Sequence, residues 1–202
     1  VGEKSVIHEQ IKALICQLTF FHSYHDLEII AIYDEAYQED FQWMRWYPHF
    51  KIHTVNSVAM INSENKRDQI LGSLYQILKD RKQKEEESKK ESTFLPHFLF
   101  LIDEPKWIMD HSIMEYLEKE GYNLGFSIIY TSHLRANLPE NIGTIAMLKN
   151  SEDGLLLIDE REEKQEKFRL HNMQEIPLEW LGRNLGVLEH MQGISAQIPN
   201  SI

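Results

Sequence analysis

The sequence predicts an α/β fold, with a mainly parallel sheet and helices on both of its faces. Three observations predict it. The apolar runs Leu27–Tyr33, Phe98–Glu104 and Phe126–Thr131 are nearly continuous rather than alternating, as expected of strands buried on both sides. Between and before them lie stretches with apolar residues at helical spacing. Strands and helices then alternate along the chain, which favours parallel pairing through crossover helices.

The elements follow in order. Ile7, Ile11, Leu14, Ile15, Leu18 and Phe21 recur at helical spacing, so a helix is expected from about Val6 to His22. It begins directly at Lys4-Ser5, where a phosphate-binding helix would begin. Tyr24-His25-Asp26 turns into a strand over Leu27–Tyr33. Glu39–Trp46 is aromatic and reads as helical, stopped by Pro48. Lys51–Val55 reads as a short strand. Ile70, Leu71, Leu74, Ile77 and Leu78 stripe a second long helix over about Lys66–Lys82. Lys82–Thr93 has almost no apolar content and reads as a frayed helix end plus a solvated loop.

Pro96 leads into the strand that closes on Asp103-Glu104. Asp110–Glu120 is expected to be a helix with Ile113, Met114 and Leu117 inward, flanked at its end by Gly121 and Gly125. Phe126–Thr131 is a strand ending in Ser132-His133. Thr144–Leu148 and Leu155–Ile158 read as two strands, antiparallel through a Ser151–Gly154 turn. Glu179–Met191 is a last helix, and Gly193–Ile202 an extended exit containing Pro199. Residues 1–176 are expected to form one domain and 177–202 a C-terminal helix and linker. There is no internal repeat.

At 202 residues and 42% apolar content, the chain can build one well-cored domain. Its formal net charge of −11 counts against nucleic acid as a partner. The densest basic stretch, Lys79–Lys90, is interleaved with Asp80, Glu85, Glu86 and Glu87. Cys16, the single cysteine, reads as a buried small hydrophobe in mid-helix, and excludes an internal disulfide or a cysteine zinc cluster. No run approaches the ~20 apolar residues of a membrane span, so membrane insertion by this segment is not expected. No signal peptide is visible. The start lacks Met and reads as the inside of a loop, so a fragment of a longer chain is expected.

Asp103-Glu104 carries the clearest chemistry. An apolar strand that ends abruptly in two acids delivers them to the carboxyl edge of a sheet. In P-loop ATPases such an Asp holds Mg²⁺, and a following Glu can polarise the attacking water. That assigns Asp103 to metal and nucleotide and Glu104 to a catalytic position. The matching phosphate loop is Gly-x-x-x-x-Gly-Lys-Ser/Thr. Here the chain opens Val1-Gly2-Glu3-Lys4-Ser5, so Gly2, Lys4 and Ser5 fit, with Ser5 as the second Mg²⁺ ligand, but Glu3 stands where glycine is needed. Glu3 carries a Cβ and puts a carboxylate beside a polyanion. At ~4 Å two like charges cost about 1–4 kcal/mol, or one to three decades of affinity. Two readings stay open: a weak nucleotide site, or an ordinary helix start with Glu3 favourable near the helix dipole. Ser132 closes the next strand, where an ATPase places a polar residue that senses the γ-phosphate.

Other residues weigh less. His22/His25 and His49/His53 have metal-like spacing, but no carboxylate shares a clear face with them, so surface or capping roles are expected. Trp43, Trp46 and Tyr47 read either as an exposed docking patch or, better, as packing over the sheet.

With these residues in place, the chain resembles the FtsK/SpoIIIE-type motor proteins of type VII secretion systems, the EssC/YukB/EccC family. The resemblance rests on Gln17–Tyr33 (QLTFFHSYHDLEIIAIY), Trp43–Phe50 (WMRWYPHF), Leu99–Glu104, Gly125–Ser132 (GFSIIYTS), Leu134–Pro139 (LRANLP) and the exit over Gly186–Ile202. It covers nearly the whole chain and implies a P-loop-NTPase-like sheet of the RecA/FtsK type. In that family tandem ATPase-like domains follow transmembrane helices, and the membrane-proximal one is degenerate. The Gly-Glu-Lys-Ser start and the Ile-Pro-Asn-Ser-Ile exit imply that this chain is that domain. The expectations are then a non-catalytic domain at the cytoplasmic face of a bacterial membrane, coupling membrane secretion-complex subunits to downstream ATPase domains of the same chain during protein export. No cofactor is expected, with Mg-ATP at most weakly bound. Alternatives are an active ATP-hydrolysing domain of the same motor and an FtsK-like DNA translocase domain, the latter opposed by the acidic balance. A phosphate loop follows a strand, so either that strand lies upstream in a parent chain or the sheet lacks a central member.

Overall fold

The computed structural model describes residues 1–88, 93–119, 121–158, 164–170 and 177–192. Its centre is a four-stranded parallel sheet in the order β4-β1-β5-β6, formed by β1 (Leu27–Ile32), β4 (Met60–Ile61), β5 (His97–Asp103) and β6 (Phe126–Thr131). β1 and β5 pair over six residues, Leu27 opposite His97 through Ile32 opposite Ile102. β5 and β6 pair from Phe98–Phe126 to Asp103–Thr131.

The continuous apolar pattern has its expected cause, since each central strand feeds two cores. On one face Ile29, Ala31, Tyr33, Leu99 and Leu101 meet Ile7, Ile11 and Ile15 of α1 (Lys4–Phe21). On the other, Ile30, Ile32, Phe98, Phe100 and Ile102 meet Ile70, Leu71, Leu74 and Leu78 of α3 (Glu64–Glu87). Each fully buried Leu or Ile contributes about 1.5–3 kcal/mol, so alternate residues of one strand hold both helices. Cys16 is buried within α1.

Several boundaries differ from expectation for local reasons. The expected strand Lys51–Val55 is only β2 (Lys51–Ile52). The chain then coils through His53–Val55 and reverses at Asn56, φ 49°, a conformation Asn tolerates, to pair with β3 (Ser57–Val58). The aromatic stretch starts as α2 (Gln38–Phe41) and tightens into a 3₁₀ turn over Gln42–Trp46. Lys82–Glu87 is helical rather than loop, as Lys82 pairs with Glu85 and Gln83 with Glu87 one turn on. Most of the stretch beyond it, 89–92, lies outside the described residues. The helix expected over Asp110–Glu120 shrinks to α4 (Met114–Leu117), entered through a turn in which His111 Nδ1 accepts the Ile113 N–H. Ile113, Met114 and Leu117 are buried, as their spacing requires.

A separate antiparallel sheet joins β7 (Ile145–Leu148), β8 (Asp153–Leu157) and β9 (Gln165–Arg169). β9 was not legible in the sequence. It is a polar edge strand with little apolar content, the kind that guards a sheet against edge pairing. The last helix, α5 (Leu178–Gln192), lies on the aromatic segment. Tyr47, 2% exposed, donates its hydroxyl to the Leu178 carbonyl at 2.8 Å. The Arg183 guanidinium stacks 3.8 Å from the Trp46 ring centre. Trp46 and Tyr47 are therefore covered by α5 and form no open docking patch. The exit, 193–202, lies outside the described residues.

Candidate functional site

The parallel register places the ends of β5 and β6 side by side, with the first turn of α1 beside them. Asp103, the last residue of β5, is 1% exposed. Thr131, the last of β6, donates its hydroxyl to Asp103 Oδ1 at 2.6 Å. Lys4, the first residue of α1, brings Nζ to 2.5 Å from the same oxygen and 2.8 Å from Glu104 Oε1. Ser132 donates to Glu104 Oε2 at 3.0 Å and accepts from Asn137 Nδ2 at 3.3 Å. Lys4, Asp103, Glu104 and Ser132, four of the residues singled out in the sequence, thus form one cluster. Thr131 and Asn137 complete it. The polar strand end announced Thr131, whereas nothing in the sequence announced Asn137.

Glu104 has φ 72°, ψ 111°, outside the left-handed well open to ordinary residues. A residue held there costs ~1–3 kcal/mol. What holds it is the backbone bond from Glu104 N–H to the Thr131 carbonyl at 2.9 Å, together with Lys4 and Ser132 on the side chain. Burial alone would raise the Glu104 pKa. Hydrogen bonding and attraction from Lys4, with help from Ser132, outweigh burial and leave it below the usual carboxylate range. For Lys4, burial would lower the pKa, but the bonds and charges of Asp103 and Glu104 raise it above the usual value.

The signs give a pH dependence. A depressed acid stabilises the fold above its unfolded pKa of about 4.3, and that part is lost as pH falls through the lower folded value. A raised amine stabilises below its unfolded pKa of about 10.4 and loses that part only above it. The Lys4–Glu104 contribution is therefore flat across neutral pH and declines in acid. In urea unfolding below pH 4.3, Glu104→Gln is expected to flatten part of the acid decline. An unchanged slope would remove Glu104 from the titration.

The phosphate half is arranged differently. The Gly2 N–H donates to the Ser132 carbonyl at 3.2 Å. A Cβ on Gly2 would lie 2.7 Å from the Leu148 carbonyl oxygen, so this glycine serves close packing between strands. Glu3 adopts φ −66°, ψ 137°, open to any residue, and its side chain caps no backbone N–H of the helix. Ser5 donates to Glu3 Oε1 at 2.8 Å.

These residues fit Mg-ATP poorly. The Lys expected on phosphate neutralises the acids expected on metal and water. The Ser expected on Mg²⁺ faces Glu3, and a loop amide that would cradle phosphate is committed elsewhere. One atom stands apart from this: Asp103 Oδ2 is buried and has no hydrogen-bond partner. Among the described residues no group of His, Cys, Asp and Glu is arranged to hold a metal ion. The histidine pairs have other partners: His49, buried rather than at the surface, donates Nε2–H to the His22 carbonyl at 2.8 Å, and His53 pairs with Glu28 at 2.9 Å. No helix of the described residues is long and apolar enough to cross a membrane.

Comparison with known proteins extends this picture. No family model matches the chain. Over its full length it is 35% identical to the ESX secretion system protein EccC of Geobacillus thermodenitrificans and 36% identical to YukB of Bacillus subtilis. It is 34% identical to the type VII secretion system protein EssC of Staphylococcus aureus. The chain spans only 13–14% of the length of these relatives. Among solved structures, a fragment of Geobacillus thermodenitrificans EssC containing ATPases 2 and 3 superposes on 95% of the chain with a TM-score of 0.63. At 13% identity and 42% coverage of that fragment, the likeness establishes the α/β ATPase fold alone.

Proposed function

The chain belongs, as a homologue of one segment, to the EccC, YukB and EssC proteins of type VII secretion systems, and from that premise we propose that it is a non-catalytic ATPase-fold domain of such a motor. One observation carries the reading. The Lys4 ammonium lies against both Asp103 and Glu104, the two acids that an ATPase keeps for metal and water. A nucleotide would have to strip Lys4 from both carboxylates and then sit beside Glu3. In this reading the domain is the membrane-proximal one, at the cytoplasmic face of the membrane. It transmits movement between membrane subunits and downstream ATPase domains of the same chain, with secreted proteins as cargo of the whole. Residues 1–176 are its body, and 177–202 lead on toward the next domain.

Calorimetric titration of Mg-ATP tests the reading. No saturable isotherm is expected at millimolar nucleotide. A saturable isotherm abolished by Lys4→Ala would overturn it and favour the second reading, a nucleotide site whose metal contact is the unpartnered Asp103 Oδ2. Glu3→Gly sharpens the result: if Glu3 alone blocks an otherwise intact site, the substitution restores binding, and the proposal predicts that it does not.

A further inference from the structure

The end of the parallel sheet away from Asp103 and Glu104 carries an uncovered apolar surface. α1 starts at the carboxyl ends of the strands, where Lys4 meets Asp103, and finishes at their amino ends, where residues 23–26 turn into β1. Its buried stripe stops at Thr19. Phe20 and Phe21 follow at 66% and 76% exposure, and their rings meet edge to face at 5.2 Å. Among the described residues they are the two most exposed of the large apolar side chains. Apolar residues exposed singly need no account, but a contiguous group points to a partner.

Two further segments reach this end. The His97 N–H bonds the Asp26 carbonyl at 2.8 Å, so the exposed Leu95 lies two residues from a contact with the same turn. The Tyr24 ring stacks on that of His53 at 4.8 Å and lies 4.3 Å from that of His25. That contact brings the β2–β3 hairpin, with Val55 and Val58 exposed, to the turn as well. Charge sets this end apart. The chain holds 32 acids, yet residues 17–26, 51–58 and 93–97 hold only Asp26, against Lys51, His22, His25, His53 and His97. Glu28 is 1% exposed and turned onto His53, and the charge of the buried Arg81 offsets it. A net charge of −11 repels an acidic partner from the molecule at large, but here no row of carboxylates opposes one.

We propose that this end of the sheet is a docking surface for an acidic amphipathic helix of a partner protein. The helix would seat its apolar residues on Phe20 and Phe21 and turn flanking carboxylates to His22, His25 and Lys51. Three observations choose this occupant. β1 and β5 present their ends here and not an open ladder, so a partner gains no strand pairing from them and must arrive with its backbone hydrogen bonds already made, as a helix does. Adjacent exposed aromatic rings are the anchors that dominate such contacts. An imidazole donates an N–H to a carboxylate in either charge state, and the scarcity of acids removes the repulsion that such a partner meets on other faces. A second copy docked through the same surface would set histidines against histidines, with Asp26 as its one acid in these stretches. An anionic lipid surface draws its affinity from fixed cations, and Lys51 is the only lysine or arginine of these stretches. The proposal does not depend on whether nucleotide binds.

Site-specific photo-crosslinking in the cells that make the protein tests it. p-Benzoylphenylalanine in place of Phe21 is expected to capture one protein segment. Mass spectrometry should place the crosslink in a stretch with apolar residues at helical spacing and Asp or Glu beside them. Charge reversal then decides whether the capture is the proposed one. Adding His22→Glu and His25→Glu should cut capture about tenfold or more. Exchanging the acids of the captured segment for Lys should restore it. All three positions are exposed, so the urea midpoint should stay where it is. If the histidine variants lower that midpoint, the Lys exchange in the captured segment alone must still cut capture by the protein that keeps both histidines. Capture of a second copy, of lipid or of a segment without acids, capture indifferent to charge reversal, or no capture at all would overturn the proposal.

Discussion

Replacing Arg81 with Met is expected to destabilise the domain by about 3 kcal/mol or more, because two backbone carbonyls lose their donor at once. Arg81 is 7% exposed, in the second-to-last turn of α3. Its Nη1 donates to the carbonyls of Leu124 at 2.9 Å and Gly125 at 3.2 Å, and its Nη2 to that of Pro96 at 2.7 Å. The Gly125 carbonyl also accepts from Phe98, so Leu124 and Pro96 are the two that the substitution leaves exposed to loss. Each costs ~1–3 kcal/mol when stranded. The guanidinium also lies 4.3 Å from the Phe98 ring centre. Burial pulls its pKa down to about 10, with Glu28 opposing, so it stays charged at neutral pH. What it supplies is a planar fork reaching two loops that lead into β5 and β6, and an ammonium cannot copy that fork. Arg81→Lys should therefore lose most of the same stability. In urea or thermal unfolding the shift is roughly 2–4 °C per kcal/mol for a chain of this size. A near-native Arg81→Lys would mean that charge facing Glu28, and not the fork, is what matters.

Arg81 also shows why part of the fold was illegible. The central strands could be read because burial on both faces leaves an unbroken apolar run, and α1 and α3 because each needs a stripe at period 3.6. Arg81 sits at the head of a charge run, and composition cannot tell a solvated Arg from one whose donors satisfy buried carbonyls. Gly125 adds a related case. It has φ 72°, and a Cβ there would meet the Phe94 carbonyl oxygen at 2.8 Å, so the turn that receives Arg81 needs glycine. The sequence marked it only as punctuation after a helix. β9 failed differently, since an edge strand whose one apolar residue is the half-buried Phe168 has no pattern to read. At the site, strand ends identified Asp103, Glu104 and Ser132 as neighbours because parallel strands must end together. That Lys4 lies on the acids depends on where α1 starts relative to the sheet, which no local pattern encodes.

Lys4→Met is the second large effect, expected at roughly 2–4 kcal/mol at neutral pH, somewhat under the 3–5 kcal/mol typical of breaking a fully buried pair. The discount follows from exposure: the Lys4 side chain is 19% exposed and that of Glu104 20%, against 2% for Asp103. Without Lys4, two carboxylates that shared one ammonium face each other, and Asp103 keeps only Thr131. The repulsion, not the lost attraction alone, sets the size of the effect. It follows that the loss should shrink in acid as Glu104 protonates, and that Lys4→Met combined with Asp103→Asn should recover much of it. A double-mutant cycle measured by urea unfolding at pH 7 reads that coupling directly. A coupling of 1.5 kcal/mol or more, on the scale of hydrogen bonds to charged groups, would make Lys4 the fixed counter-ion of the acids and so unavailable to phosphate. Lys4→Met within about 0.5 kcal/mol of the native chain, the range of an ordinary surface substitution, would mean the ammonium is held loosely. It would then be free to swing to a nucleotide, and the case for a non-catalytic domain would lose its main support. Stability of the empty site and affinity for ATP are thus opposed through one side chain: the cycle measures the first, and calorimetric titration of Mg-ATP the second.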